Sequence, residues 1–286
     1  MPSGMIKCLG DKRVFHFVLE KILENKKNCD IIDAASKFSE TFDEYFREGV
    51  ETADMDERFY LKYAAAAIRG NLRRTGREEL LPSALMTKSL DALTPEDYEA
   101  VFSVAQANGI KFFDFKKNHR YLPRVNRAIG FLKGLSFSSL LDVGSGRGVF
   151  LIPFMDEFPW VSVTALDLNS DRIRMLSDIR DGGIDTLSVR QCDVCDAPFS
   201  DGAFDVVTLL EVLEHIPDYR AAIRAAVAMA RQYVVITVPS HEDINPEHIH
   251  FLTKERLSEA FAEVGVTRLS FDGVHGHLFL AAKVGE

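Results

Sequence analysis

Cysteine is scarce in this chain. Cys8, Cys29, Cys192 and Cys195 are scattered over 286 positions, too few for a disulfide framework, so a reducing, cytoplasmic setting is expected. Cys192-Asp193-Val194-Cys195 has the spacing of a metal or redox pair, but no second pair accompanies it, which disfavours zinc binding or thiol exchange there. No apolar run approaches the ~18 residues needed to cross a bilayer. Met1 to Arg13 has no hydrophobic core ahead of its charges, so neither a membrane partner nor secretion is expected. An excess of positive charge is missing too. The net charge of -9 argues against a protein built mainly to coat nucleic acid.

What is present is ordinary globular composition, 47% hydrophobic and 27% charged residues, rather than that of a disordered chain. Charge is uneven, however. Residues 111–134 hold Lys111, Lys116, Lys117, Arg120, Arg124, Arg127 and Lys133 against the single acid Asp114. Such a run is either a solvated helix face or a cationic entrance for an anionic substrate.

Residues 12 to about 109 read as helical. Val14, Phe15, Phe17, Val18, Ile22 and Leu23 recur at helical spacing, and Phe38, Phe42, Tyr45 and Phe46 repeat the pattern as a core stripe. Phe59 to Leu72 predicts another helix, in which Ala64 to Ala67 allow close packing. Thr94-Pro95-Glu96-Asp97 has the order of a helix start, an N-cap threonine, proline at N1 and an acid at N3. That helix should end at Asn108-Gly109, with a short aromatic connector over 111–117 and a further helix over 121–132. The division expected is a helical N-terminal region, 1–118, followed by a second domain, 119–286.

From Ser139 onward strands and helices alternate, as in a parallel sheet covered on both faces. Strands are predicted at 139–143, 161–166, 186–192, 204–210 and 233–238, with helices at 148–157, 170–180, 217–230 and 253–264. Two last strands, 267–271 and 277–284, are joined closely enough for a hairpin. The fold class expected is therefore α/β, a seven-stranded, mostly parallel sheet with a terminal antiparallel hairpin, preceded by helices.

The residues around which this half is organised are Leu140 to Phe150, Leu-Leu-Asp-Val-Gly-Ser-Gly-Arg-Gly-Val-Phe. An apolar strand stops at Asp142, and Gly144, Gly146 and Gly148 follow at alternate positions. Glycines permit positive φ and leave no Cβ between a turn and a ligand. A dinucleotide fingerprint, Gly-x-Gly-x-x-Gly, would need its third glycine at Val149, so NAD is disfavoured. Acids also close the neighbouring strands, Asp142, Asp167, Asp193 and Glu211, where ligands of open parallel sheets bind. Asp167 lies 19 residues beyond Gly148, the distance expected of a carboxylate that reads ribose hydroxyls.

Asp-x-Gly-x-Gly-x-Gly, Asp167, and Asp193 followed by Pro198-Phe199-Ser200-Asp201 and Phe204-Asp205-Val206-Val207 resemble the motifs of class I S-adenosylmethionine-dependent methyltransferases. The resemblance covers about residues 121–284. It implies S-adenosylmethionine as cofactor and S-adenosylhomocysteine as product. By the same resemblance Asp167 would hold the ribose, Leu168 would lie beside the adenine, and Asp193 with Val194 would sit at the adenine edge. Asp142, Gly144, Ser145, Gly146 and Gly148 would form the first motif, and Leu210 and Glu211 would lie by the methionine part. The family's frequent Pro-Gly-Gly turn before strand five is replaced by Ala230-Arg231-Gln232.

After strand four stands Glu211-Val212-Leu213-Glu214-His215-Ile216-Pro217. This is neither the Asp/Asn-Pro-Pro-Tyr/Phe of amino-methylating enzymes nor the Pro-Cys of carbon-five cytosine chemistry. No three-cysteine cluster suggests a radical use of the cofactor. His215 and His241 are the candidate catalytic bases, an imidazole being suited to take a proton from a hydroxyl; either could equally cap a loop. No metal is expected. The alternative is a site of Glu211, Glu214, His215 and His248 (or His250), because Glu-x-x-Glu-His with a later histidine is similar to small-RNA 2′-O-methyltransferases. The function expected is methyl transfer to oxygen or nitrogen of a small-molecule acceptor. RNA, reached through residues 111–134, is the second expectation, a non-catalytic binder of the nucleoside the third. A homodimer is a further expectation for the helical region.

Overall fold

The central strands are apolar along nearly their whole length because both faces of the sheet are covered. Leu140, Leu141 and Val143, Val206, Val207 and Leu209, and Val234, Val235, Ile236 and Val238 are all buried. The structure is a computed structural model that describes residues 58–110, 122–241 and 245–285, all within the unit Asp54–Glu286. The predicted helical patterns over 12–46, the connector over 111–117 and Lys111 to Arg120 lie outside the described residues.

In chain order the elements are α1 (Arg58–Arg74), α2 (Ser83–Thr87), α3 (Pro95–Ala107), α4 (Pro123–Leu132), β1 (Ser139–Val143), α5 (Leu151–Glu157), β2 (Ser162–Asp167), α6 (Ser170–Asp181), β3 (Leu187–Gln191), β4 (Phe204–Leu210), α7 (Tyr219–Met229), β5 (Ala230–Pro239), α8 (Lys254–Glu263), β6 (Leu269–Val274) and β7 (His277–Lys283). The strands form one sheet of order β3-β2-β1-β4-β5-β7-β6. β3 through β5 run parallel, while β7 is antiparallel to β5 and β6 antiparallel to β7. This is the fold class expected. The chain leaves β1 toward β2 on one side and returns to β4 on the other, so a crevice opens at the carboxyl ends of β1 and β4.

Local signals explain most boundaries. Thr94 Oγ1 accepts the Asp97 N–H and Asp97 Oδ2 accepts the Thr94 N–H at 2.9 Å, the reciprocal cap that Thr-Pro-Glu-Asp foretells. Asn169 starts α6 by accepting from Asp171 and Arg172. Of the boundaries that differ from expectation, two have a direct cause. α5 begins at Leu151 rather than Gly148, because Gly148 has φ +77° and no right-handed helix passes through that conformation. β5 begins at Ala230, directly on the end of α7; with no glycine turn between them, the strand simply extends backward.

α1 packs on α6 at backbone distance. A Cβ on Gly70 would lie 1.8 Å from the Asp178 carbonyl oxygen, and one on Gly182 1.8 Å from that of Ala66. The Ala64 to Ala67 run does permit close approach, and the buried Asp178 carboxylate is clasped by Arg74 through Nε at 2.7 Å and Nη2 at 2.9 Å. Arg73 also donates to the Asp181 carbonyl.

Candidate functional site

The turn after β1 is held open by its own backbone. Gly144, Gly146 and Gly148 have φ of +66°, +57° and +77°, a left-handed conformation that side chains disfavour. The three serve different ends. A Cβ on Gly144 would strike Val212 at 2.6 Å, whereas one on Gly146 would meet nothing nearer than Arg172 Nη1 at 3.7 Å. Gly146 therefore borders open space, and Gly144 seals the turn against the segment after β4.

Asp167, buried at the tip of β2, faces this open position. Its Oδ2 accepts the Gly146 N–H at 2.8 Å and its Oδ1 accepts the Asn169 N–H at 2.8 Å. Each oxygen keeps a second lone pair for another donor. Arg172 Nη1 stands 3.8 Å away and is half exposed. Leu168, next in sequence, is 65% exposed, an apolar side chain in water beside a carboxylate.

Asp142 is fully enclosed. Burial pushes its carboxyl up to about 6, against the bond it accepts from Thr208 Oγ1 at 2.7 Å. Ser145 Oγ donates to the Asp142 backbone carbonyl, fixing the first bend of the turn. Asp193 caps a short 3₁₀ turn by accepting the Cys195 N–H, while Val194 is buried. Leu210 ends β4.

Glu211 has φ +60°, so the chain turns sharply off β4. Its N–H donates to the Thr237 carbonyl, its Oε1 accepts from Thr237 Oγ1 at 2.9 Å, and its Oε2 lies 2.9 Å from His277 Nε2. The Glu211 carboxylate raises the His277 pKa above its ordinary value. No local sequence pattern marks His277 as a site residue. It reaches the site because β7 runs antiparallel, so its first residue pairs with Pro239 at the carboxyl end of β5.

Glu211 is thereby separated from the alternative metal group. Glu214, His215 and His248 form that group without it, one ligand atom from each lying within 4.8 Å of the others. Glu214 is 0% exposed and, among the described residues, neither carboxylate oxygen has a hydrogen-bond partner. Desolvation, reinforced by Glu211, pushes its carboxyl up to about 8. His215 is exposed, and its Nδ1 lies 2.9 Å from the Glu247 carbonyl. A carbonyl only accepts, so Nδ1 carries the proton and Nε2 the lone pair. His241 is an exposed residue just past β5, and His250 turns instead to the Pro217 carbonyl.

The basic stretch is partly neutralised where it is described. Arg127 Nε pairs with Asp272 at 2.7 Å and lies over the Phe279 ring, and Lys133 pairs with Glu157 at 2.8 Å.

A family model described as a methyltransferase domain matches residues 113–270. Among curated proteins, the ubiquinone biosynthesis O-methyltransferase of Vibrio parahaemolyticus is 30% identical over 173 residues, 57% of this chain and 66% of that protein. The nocamycin O-methyltransferase of Saccharothrix syringae is 29% identical over 126 residues, 43% of this chain and 42% of that protein. The match thus spans less than two thirds of either relative. Among solved structures, a SAM-dependent methyltransferase from Aquifex aeolicus superimposes with a TM-score of 0.50 at 16% identity, over 59% of this chain and 95% of that one, a likeness of fold.

Proposed function

The chain belongs to the methyltransferase-domain family, and on that premise we propose that it transfers the methyl group of S-adenosylmethionine to an oxygen of a small-molecule acceptor, with S-adenosylhomocysteine as the second product. The observation that carries this reading is the pairing of Asp167 with Gly146 at 2.8 Å: a buried carboxylate beside a backbone with no side chain. The site suits an adenosyl group. Asp167 would take the ribose hydroxyls, Leu168 and Val194 would border the adenine, and Asp193 would accept from its amino group. Asp142, Leu210 and Glu211 would bound the methionyl part.

When bound, the sulfonium supplies an already activated methyl group. The protein's own work is to align acceptor and methyl carbon and to exclude water. Gly144 packed on Val212 gives that alignment a rigid floor. Of the two expected bases, His215 is the better prepared, since the Glu247 carbonyl leaves its Nε2 free to accept a proton. A small acceptor is preferred over RNA because Arg127 and Lys133 already have acidic partners within the fold. Among the described residues no helix is long and apolar enough to cross a membrane, and the same reading takes the protein to be cytoplasmic.

Calorimetric titration with S-adenosylmethionine, S-adenosylhomocysteine and NAD tests this. Binding of both adenosyl compounds and not NAD is expected; binding of NAD alone would overturn the reading.

A further inference from the structure

We propose that Arg172 is the donor half of the ribose site, so that the pocket reads a cis-diol with a cation as well as with the Asp167 carboxylate. The inference rests on the adenosyl reading above, and the need for it is chemical. A ribose hydroxyl is at once a donor and an acceptor. Asp167 as a carboxylate can only accept. The N–H groups of Gly146 and Asn169 already donate to Asp167, each at 2.8 Å, so they do not serve the hydroxyl oxygens. Once water is displaced, those oxygens need another donor.

Arg172 stands where that donor is wanted. Its Nη1 lies 3.8 Å from Asp167 Oδ2. The same nitrogen is the atom nearest, at 3.7 Å, to the point where a Cβ on Gly146 would project. The guanidinium thus borders the open side of the glycine turn and the carboxylate together. Half of it is exposed, and among the described residues it makes no hydrogen bond. The start of α6 fixes its root: Asn169 Oδ1 accepts the Arg172 N–H at 3.2 Å, while the Asn169 N–H donates to Asp167 Oδ1. Asp167, Asn169 and Arg172 are one hydrogen-bonded unit.

The separation of the two charges fits the same role. Along the same helix Arg174 closes on Asp171 at 2.6 Å and Arg180 on Asp181 at 2.8 Å, whereas Arg172 and Asp167 remain 3.8 Å apart. A closed ion pair occupies both partners. An open one leaves a donor and an acceptor facing one small space, in which a hydroxyl oxygen at about 2.8 Å from each can sit. Arg172 is therefore a cofactor-binding residue that selects for the ribose hydroxyls, with no part in the methyl-transfer step.

The test is calorimetric titration of S-adenosylhomocysteine and its 2′-deoxy and 3′-deoxy analogues into the full-length chain as wild type, Arg172→Ala, Arg172→Lys and Arg174→Ala. Circular dichroism establishes that each variant is folded. Arg172→Ala should bind S-adenosylhomocysteine at least ~10-fold more weakly, and Arg172→Lys, which keeps the charge, should fall between it and wild type. The affinity that wild type loses on removal of one of the two hydroxyls should shrink in Arg172→Ala. Arg174→Ala removes the same charge two residues along and should match wild type. Unchanged or tighter binding in Arg172→Ala, an equal loss in Arg174→Ala, or unaltered penalties for both analogues would overturn the assignment while leaving the adenosyl reading intact. Failure of wild type itself to bind S-adenosylhomocysteine would refute that reading, and Arg172's role with it.

Discussion

The carboxylate of Asp167 accepts the N–H of Gly146 at 2.8 Å, tying the tip of β2 to the middle of the glycine turn across 21 residues of chain. The bond makes the turn's openness a property of the sheet rather than of a loose loop. Gly146→Ala should therefore fold. Its methyl would have room, but φ +57° should reduce stability by about 1–2 kcal/mol. Affinity for S-adenosylhomocysteine should fall at least ~10-fold, since the methyl occupies the ligand's side. Unchanged affinity in titration would contradict the placement.

Gly70→Ala should be far more damaging than its helix propensity suggests. The added methyl would lie 1.8 Å from the Asp178 carbonyl oxygen, where only separation of α1 from α6 relieves it. A loss of about 2–3 kcal/mol is expected. Gly130→Ala, on the exposed side of α4 with nothing within 4 Å, should instead be neutral or stabilising by roughly 0.5–1 kcal/mol. Thermal melts of the two variants decide the matter; similar melting points would refute the close crossing.

The stability contribution of His277 should depend on pH. Glu211 holds the imidazole above its ordinary 6.5, so its contribution is fully present below 6.5 and is lost as pH rises through the folded value. His277→Gln should melt below wild type at pH 6 and approach it at alkaline pH. A constant difference across that range would show that the ion pair is not what His277 supplies.

Asp142 should lose stability in the same direction, but over a lower pH window and through desolvation rather than an ion pair. Burial holds its carboxyl at about 6 instead of 3.8, so ionisation destabilises the fold as pH rises from about 4 through 6. The difference is on the order of 3 kcal/mol. Asp142→Asn keeps an acceptor for Thr208 and removes the charge. In urea unfolding, wild type should lose ground to the variant over that window; parallel stability curves would count against a buried, ionising Asp142.

How legible all this is in the sequence depends on the range of the interaction. The strands, the Thr94 cap and the tip acids of β1 and β2 are local patterns, and each stands close to where its residues imply, though β5 starts earlier, at Ala230, and β6 ends later, at Val274. Glu211 and His277 meet only because a hairpin adds an antiparallel strand beside β5, a juxtaposition across 66 residues of chain with no local signal beyond a histidine after Gly276. The Gly70–Gly182 crossing is hidden for the same reason. Glu214 shows the limit most clearly. Glu-x-x-Glu-His marks two carboxylates, but which is buried and which binds His277 follows from the left-handed turn at Glu211, a conformation the residue type does not announce.

The central claim is that Asp167 and the bare turn it braces form the seat of an adenosyl group. Titration of S-adenosylhomocysteine into wild type and into Asp167→Ala, with thermal melts to establish that both are folded, tests it directly. Loss of two charge-assisted hydrogen bonds, each worth about 1.5 kcal/mol or more, should weaken binding ~100-fold. Equal affinity in the folded variant would contradict the account.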